Sequence, residues 1–504
     1  MTDSPDQGVA HTTINPSRLF GGSCLALIAT AVSFAVLADI MGPLKEAFIL
    51  TNEQVGWIVG AGTWGFTVSI FVLGPLCDAL TMRVLLRFAF LCHGAGVLIM
   101  IFAGGFWSLF IGALVISLGN GTVEAACNPL VATIYPDRKT QKLNKFHVWF
   151  PGGIVIGGLA CYGLGQLGII AWQVRLTVIL VPTLIYGFLF LGQKFPATER
   201  LQSGISFVGM FKATLFRPLF LLLFFCMMIT ASLELGPNRW VPSILQAGGI
   251  HGILVLVWIS GLMAVLRFYA GPVVRRLSPT GILLASAVLT GIGLFWLSFA
   301  ESVGIAVAAA TVFALGVCYF WPTMLGVVSE RVPRGGALAL ALMGGVGMLA
   351  VGVITTPQMG RIADVYVHEK LEATHGYTVA VLEEIVKTYP VAKEHAEGGQ
   401  ADDIQAAIDD ANAVLADLAT SGKLPPTKTA NALRSAKKSS GGSEAGDKVD
   451  GILNPAENYG GRISFRWIAP LAIILVIIFG ALYMRDRRMG GYKVETIESA
   501  PDDS

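Results

Sequence analysis

The stretch FWSLFIGALVISLGNGTVEAACNPLVATIY (residues 106–135) decides the fold class of this protein. Glu124 is its only charged residue. An apolar run of this length can cross a bilayer as a helix. A carboxylate near the middle of such a span costs about 2.5–3.5 kcal/mol on insertion scales, so it normally faces a cavity or a partner inside the protein. The stretch therefore predicts a membrane helix with one functional or structurally paired carboxylate.

Two amides flank this carboxylate at helical spacing. Asn120 lies four residues before Glu124, and Asn128 lies four residues after it. Side chains four residues apart stack on the same face of a helix, so the three form a polar stripe. A transport pathway for a polar solute needs such a stripe. The alternative is a hydrogen-bonded seam between helices, which Ser, Thr or Asn alone could build.

The composition places the whole chain in the membrane. Hydrophobic residues make up 54% of the 504 residues and charged residues 13%, and the mean hydropathy is +0.67. These values are typical of integral membrane proteins. We expect no cleavable signal peptide, because a polar N-terminus precedes an apolar run longer than a signal core. No metal site or other cofactor is predicted, since the cysteines lie in apolar runs without ligand spacing. The net charge of +2 gives no reason to expect a nucleic-acid partner.

Apolar runs of about twenty residues predict twelve transmembrane helices in an all-α membrane protein. We number these spans 1 to 12 in chain order. Lys and Arg are concentrated in one set of loops, which by the positive-inside rule are cytoplasmic. We therefore expect a multi-pass protein of the cell membrane with both termini in the cytoplasm. The predicted spans are 19–41, 56–78, 84–104, 106–135, 146–168, 171–193, 217–245, 252–275, 279–299, 302–328, 335–360 and 463–484.

The spans fall into two six-helix halves that echo each other weakly. GPLCDALTMR (74–83) follows span 2, and GPVVRRL (271–277) follows span 8. Such repeats predict a central cavity between the halves, with the substrate site near the midplane. The predicted segments are a cytoplasmic tail (1–18), an N-terminal half (19–193), a cytoplasmic linker (194–216), a C-terminal half (217–360 and 463–484), an extracytoplasmic insertion (361–462) and a second cytoplasmic tail (485–504).

The insertion differs in composition from the rest of the chain. Residues 361–461 hold 16 acidic and 10 basic residues, so this segment is net acidic. Ile404, Ile408, Leu415 and Leu418 predict a short amphipathic helix. We expect residues 423–460, rich in Lys, Ser, Gly and Pro, to be disordered. The insertion is interpreted as a tolerated addition, with an external lid or partner-docking domain as the alternative.

Further polar residues lie within the predicted spans. Asp39, in the outer half of span 1, is predicted to be a second carboxylate facing the same cavity as Glu124. Carboxylates withdrawn from water can bind and release a proton near neutral pH, which would couple solute movement to a proton gradient. The alternative for Asp39 is a residue near the helix end that reaches water. Glu234 and Asn238 in span 7 are predicted to form an outer gate or part of the site; the alternative is an interfacial polar cluster.

Four aromatic residues and one histidine complete the predicted site. His147 is a candidate hydrogen-bond donor or proton carrier, or a gating residue. Trp149, Phe150, Tyr319 and Trp321 are candidates for stacking on the apolar face of a sugar ring, although most aromatics in such helices serve packing. Arg267 in span 8 is interpreted as a structural charge partner or an inner-end residue.

Several motifs make the chain resemble a known family. Twelve spans in two halves, with GPLCDALTMR after span 2, resemble the major facilitator superfamily. LADIMGPLKEAFILTNEQVGWI, GTVEAACNPLVATIYPDRKTQKLN and GVITTPQMGRIAD are more specifically similar to the fucose–proton symporter group of sugar transporters. The resemblance covers nearly all spans but not residues 366–460. It implies the major facilitator fold.

The resemblance also implies residue roles. Asp39 and Glu124 match the two carboxylates that link sugar binding to protonation in that group. Asn128 and Asn144 match amides of its motif. His147 and Phe150 stand where the group has Gln and Asn, which implies a different substrate.

The sequence thus predicts a proton-linked symporter of a monosaccharide or related polar solute, not an enzyme. Its predicted partners are this solute, H⁺ and the lipid bilayer. A sodium-coupled or uncoupled sugar carrier is the alternative within transport. A membrane receptor or scaffold acting through the insertion is the alternative outside it. The sequence contains no nucleotide-binding loop, so we do not expect ATP to drive the transport.

Overall fold

The computed structural model describes the chain in ten stretches: residues 14–48, 52–74, 76–169, 171–197, 207–247, 249, 252–394, 396, 399–439 and 444–495. Most of the first predicted tail, the middle of the linker and residues 496–504 lie outside the described residues. The described residues form an all-α membrane protein with the predicted twelve spans. Long apolar segments fold as helices because lipid offers no partner to a backbone N–H or C=O.

The N-terminal half contains spans 1 to 6. Span 5 consists of two helices that meet at Val148. The helices of this half are Pro16–Ala47, Asn52–Leu73 with Cys77–Leu80, Met82–Ile101, Phe106–Ile134, Lys139–His147 with Trp149–Gln166, and Trp172–Phe190.

The C-terminal half contains spans 7 to 12, preceded by the helix Phe207–Leu215. A kink at Ser278, within the helix Ala270–Leu297, separates the end of span 8 from span 9. A π-helical turn, Ala350–Thr355, interrupts span 11. The helices of this half are Pro218–Ala247, Gly252–Phe268, Ala270–Leu297, Val303–Val317 with Phe320–Arg331, Gly336–Leu349 with Thr356–Ala373, and Glu444–Ile468 with Leu471–Arg488.

Ten helical stretches among the described residues are long and apolar enough to cross a membrane. Two shorter apolar helices, Ala61–Leu73 and Val255–Phe268, belong to spans 2 and 8 and complete the twelve. Large apolar side chains such as Phe188 and Ile477 are exposed, whereas Asn120 and Glu124 are buried. This inside-out distribution fits a surface that faces lipid.

The segment between spans 11 and 12 is a folded helical domain. Its helices are His375–Glu394, Gly399–Ser421, Pro426–Ser439 and the start of Glu444–Ile468. The helix Gly399–Ser421 confirms the predicted amphipathic helix. The prediction of disorder for 423–460 is wrong for the described residues 423–439 and 444–460, because Leu433, Val449 and Leu453 are fully buried in a core that this domain shares with the end of span 11. Residues 440–443 lie outside the described residues.

The insertion continues two spans without a break. Thr356–Ala373 and Glu444–Ile468 pack along each other as a stem, closely enough that a Cβ on Gly460 would lie 2.4 Å from the carbonyl oxygen of Ala363. Asn458 on this stem donates to the carbonyl oxygen of Ile244 in span 7, at 2.8 Å. The domain is thereby fixed to the end of span 7.

The two halves meet closely at the end of the helical bundle where the described residues begin, at residue 14, and end, at residue 495; we call this the terminal side. The opposite side, which carries the insertion, is the insertion side. On the terminal side, the hydroxyl of Thr140 donates to Glu330 Oε1 at 2.8 Å, across the two halves. A Cβ on Gly74 would lie 2.0 Å from the Cβ of Ala341, so only glycine permits this approach of spans 2 and 11. The terminal end of the space between the halves is therefore closed.

Candidate functional site

A hydrogen-bonded cluster in the N-terminal half contains Glu124. The amide nitrogen of Asn128 donates to Glu124 Oε2 at 2.6 Å. The Nε2 atom of His147 lies 3.0 Å from Asn128 Oδ1 and 3.9 Å from Glu124 Oε2. All three residues are buried, with Glu124 only 3% exposed. The predicted helical stripe thus brings Glu124 and Asn128 together, and the break in span 5 brings His147 to them.

A second buried cluster lies in the C-terminal half. Arg267 Nη2 donates to Glu234 Oε1 at 2.8 Å, and both side chains are 2–4% exposed. Arg267 Nη1 also donates to the carbonyl oxygen of His147 at 3.0 Å, which joins this cluster to the N-terminal half. The expected role of Arg267 as a structural charge partner is confirmed, and its partner is Glu234.

Buried acceptor oxygens near these clusters make no hydrogen bond within the described part of the chain. They are Glu234 Oε2, Asn238 Oδ1 and Asn144 Oδ1. The backbone N–H of Trp321 lies within hydrogen-bonding reach of the Glu234 carboxylate. Buried polar atoms are normally paired, because an unpaired one loses its bond to water without replacement. Unpaired oxygens of this kind suit a ligand that supplies donors, such as hydroxyl groups.

Asn120 belongs to a different set of contacts. Its amide nitrogen donates to the hydroxyl of Ser33 at 3.0 Å, and its Oδ1 lies 2.9 Å from His93 Nε2. His93 Nδ1 in turn lies 3.1 Å from the hydroxyl of Tyr186. These contacts tie spans 1, 3, 4 and 6 together inside the N-terminal half. These contacts of Asn120 fit the alternative interpretation of the polar stripe, which is a hydrogen-bonded seam between helices.

Asp39 lies apart from the Glu124 cluster. Its Oδ2 accepts from Arg175 Nη1 of span 6 at 2.6 Å, and its side chain is 34% exposed. No hydrogen bond joins Asp39 to Glu124 in the described part of the chain. The sequence reasoning missed Arg175, although an arginine inside a predicted span was a visible signal.

The predicted aromatic residues have different surroundings. Tyr319 is buried, and its hydroxyl donates to the carbonyl oxygen of Leu266 at 2.8 Å. Trp321 packs close to Gly347 of span 11. Phe150 forms an edge-to-face pair with Phe34, at 6.0 Å between ring centroids. Trp149 is partly buried beside Cys24 and the core of the N-terminal half. The stacking roles of these four residues remain predictions.

Comparison with known proteins identifies the family. The family model described as Major Facilitator Superfamily matches residues 19–355. The chain belongs to the Major Facilitator Superfamily. The match extends from span 1 into span 11 and so covers most of both halves. Family membership makes this protein a multi-pass membrane transporter and not an enzyme.

The proteins that this chain resembles are named for different substrates. The candidate niacin/nicotinamide transporter NiaP of Bacillus subtilis is 20% identical over 369 residues, which cover 70% of this chain and 87% of NiaP. The superfamily transporter FucP in its outward conformation matches with a TM-score of 0.58 and 18% identity, over 68% of this chain and 92% of FucP. The proton:xylose symporter XylE, bound to 6-bromo-6-deoxy-D-glucose, matches with a TM-score of 0.57 and 13% identity, over 70% and 90% of the two chains. At these identities the structural matches establish the fold alone.

Proposed function

We propose that this protein is a proton-linked symporter of a monosaccharide or a related polyhydroxylated solute, working by alternating access. The observation that carries the proposal is the buried cluster of Glu124, Asn128 and His147 in the N-terminal half, which the Arg267–His147 hydrogen bond joins to the C-terminal half. A carboxylate that is withdrawn from water, yet sits beside a histidine, is suited to exchange a proton. The unpaired oxygens of Asn144 and Asn238 are suited to accept hydrogen bonds from solute hydroxyls.

In this proposal Glu124 carries the transported proton. Protonation would turn the carboxylate from a pure acceptor into a group that also donates. Asn128 Nδ2 now donates to it, so protonation would disturb that bond and, through Asn128, the position of His147. The solute would then meet a different arrangement of donors and acceptors in the two protonation states, which is the basis of coupling.

Asp39 has a second proposed role in coupling. Its ion pair with Arg175 links spans 1 and 6 on the insertion side of the N-terminal half. We infer that Asp39 takes part in coupling together with Glu124, as the resemblance to the symporter group implies, and it lies on the insertion side, which the positive-inside rule makes extracytoplasmic. The same rule gives the proposed orientation, with both termini in the cytoplasm of a cell-membrane protein.

A heteroaromatic acid or amide is a second candidate solute. The similarity to NiaP suggests it. The residues at positions 147 and 150 also favour it, because His147 and the Phe34–Phe150 pair offer ring surfaces where the symporter group has amides. Sodium in place of H⁺ stays an alternative coupling ion, since carboxylates bind both. A receptor or scaffold is disfavoured by the buried ionisable cluster and by the transporter family.

Uptake of a panel of labelled solutes into proteoliposomes tests the proposal. Purified protein would be reconstituted with an inward pH gradient, and uptake measured for labelled fucose, xylose, glucose, nicotinate and nicotinamide. We expect at least one monosaccharide to accumulate, and the uptake to fall when the pH gradient is collapsed with sodium kept constant. Accumulation of nicotinate alone would select the second candidate. A requirement for sodium without any effect of pH would overturn proton coupling.

A further inference from the structure

Arg267 is a buried cation whose guanidinium group makes three hydrogen bonds. It is 2% exposed, and all three nitrogen positions of its guanidinium group donate hydrogen bonds. Nη2 bonds to Glu234 and Nη1 to the carbonyl oxygen of His147. Nε bonds to the carbonyl oxygen of Cys318. Glu234 and Cys318 belong to the C-terminal half, as Arg267 does, whereas His147 belongs to the N-terminal half.

The carbonyl groups of His147 and Cys318 are free to accept from Arg267 for the same reason. In a regular helix, the carbonyl oxygen of a residue accepts from the N–H four residues later. Pro151 lies four residues after His147, and Pro322 lies four residues after Cys318. Proline has no N–H, so each carbonyl group lacks its helical partner. Span 5 breaks between His147 and Trp149, and span 10 breaks between Val317 and Phe320. One proline in each half therefore exposes a carbonyl oxygen, and the same guanidinium group bonds to both.

This arrangement is asymmetric between the halves. Arg267 is anchored in the C-terminal half by an ion pair and by the Cys318 carbonyl group. Its one bond across the interface, among the contacts described, is to the backbone of span 5. The residue that supplies this carbonyl oxygen, His147, also contacts Asn128 through its side chain. A movement of the Glu124 cluster would therefore reach the backbone position that Arg267 holds.

We propose that Arg267 is a latch between the two halves. It holds them together in the conformation that is closed on the terminal side, and it releases the carbonyl oxygen of His147 when that side opens. The anchors to Glu234 and Cys318 keep the guanidinium group paired in both conformations, so the charge is never left alone in the interior. Arg267 is a positioning residue in this account and does not contact the solute. The latch rests on the proposed alternating access, but not on the identity of the solute or of the coupling ion.

Two proline substitutions test the latch. Pro151→Ala restores an N–H that competes for the His147 carbonyl oxygen, and so weakens the bond between the halves. Pro322→Ala is the matched control, because it makes the same change at the carbonyl group of Cys318, inside one half. Spin labels on Cys substitutions at Asp137 and Arg488, both exposed on the terminal side, would report the distance between the halves by double electron–electron resonance in nanodiscs without solute. The seven native cysteines are buried, which favours labelling of the introduced ones.

We expect Pro151→Ala to lower the ratio of closed to open molecules by about tenfold, the scale of one hydrogen bond. Pro322→Ala should leave the ratio within about twofold of the parent. Equal shifts in the two variants, or no shift in either, would overturn the latch. The double variant Arg267→Met with Glu234→Gln removes both charges without leaving one buried alone. It should shift the ratio in the same direction as Pro151→Ala, and an unchanged distance distribution in this variant would also contradict the latch. Because no solute is present, failure of the proposed transport activity would leave these distances interpretable.

Discussion

Glu124 is stabilised in the membrane interior by neighbours that the sequence only partly revealed. The four-residue spacing predicted its contact with Asn128, which the structure confirms at 2.6 Å. The same spacing could not show that Asn120 turns to Ser33 and His93, because those partners come from spans 1 and 3. Spacing along one helix fixes which residues share a face. It does not determine which neighbouring helix each residue meets.

Asp39 provides a test at the level of one residue. Asp39→Asn removes the charge that pairs with Arg175 at 2.6 Å and also the site for a proton. We expect the pH profile of uptake to flatten or shift, because an amide does not titrate. Uptake measured from pH 5.5 to 8.5 would show this. Glu369→Asn, at an exposed position on the insertion stem, is the control and should keep the parent profile. An unchanged profile in Asp39→Asn would reduce the residue to an ion pair at a helix end.

His147 and Phe150 provide a test of specificity. The double variant His147→Gln with Phe150→Asn restores the amides of the fucose–proton symporter group. Each hydrogen bond gained or lost to a buried hydroxyl group changes the free energy of binding by about 0.5–1.5 kcal/mol. We therefore expect the ranking of sugars in competition assays to change by roughly threefold to tenfold at individual sugars. His375→Gln, in the insertion, should leave the ranking as it is. If the double variant ranks sugars as the parent does, neither residue lines the site.

The repeat between the halves is visible at the level of helix ends. Thr81 and Ser278 each lie seven residues after the glycine of the repeated Gly-Pro motif, and both have a positive φ, of 69° and 61°. Residues other than glycine rarely adopt this conformation, because the Cβ atom is crowded there. The shared backbone geometry at the start of spans 3 and 9 supports a common origin for the two loops. The two loops are only weakly similar in sequence, but Thr81 and Ser278 have similar backbone conformations.

This strain predicts a stabilising substitution. Ser278→Gly should raise the free energy of unfolding by about 0.5–1 kcal/mol, since glycine adopts a positive φ without steric cost. Ser286→Gly, at a buried position inside the regular part of span 9, is the matched control and should lower it by about 0.5 kcal/mol. Thermal unfolding in detergent would compare the two variants. A lower melting temperature for Ser278→Gly would mean that the serine side chain stabilises the kink by more than the strain costs.

The insertion shows where composition misleads at the level of elements. The helix Gly399–Ser421 was predictable because its apolar residues recur at helical spacing. Disorder was predicted for residues 423–460 because this segment is rich in Lys, Ser, Gly and Pro. A few residues such as Leu433 and Leu453 nevertheless bury fully against the neighbouring helices. These contacts form only when several helices pack together. Local composition does not show which helices will do so.

At the scale of the whole molecule, the sequence predicted twelve spans and two halves but not how the halves meet. Hydropathy identifies a span because the backbone must be paired within lipid. The closure on the terminal side depends on contacts such as Thr140 with Glu330, 190 residues apart in the chain. The C-terminal tail helps to position Glu330 for this contact, since the hydroxyl of Tyr492 donates to the other oxygen of Glu330 at 2.8 Å. No local pattern indicates such pairs.

The insertion can be separated from transport by replacement. We expect a variant in which a short Gly-Ser linker replaces residues 375–443 to retain uptake, because the stem helices and their contact with span 7 remain. Uptake per molecule in proteoliposomes would be compared with that of the parent, after confirming insertion and a monodisperse elution profile. A folded variant without uptake would show that the insertion takes part in transport. It would revive the interpretation of the insertion as a lid.

The central claim is that buried Glu124 couples proton movement to solute movement, and Glu124→Gln tests it most directly. The measurement is solute accumulation under an inward pH gradient, with counterflow exchange in the same proteoliposomes. Glutamine keeps the size of the side chain but cannot carry a proton. The account predicts that Glu124→Gln loses accumulation by at least about tenfold while counterflow, which needs no net proton movement, persists. Accumulation by Glu124→Gln equal to that of the parent would contradict the account.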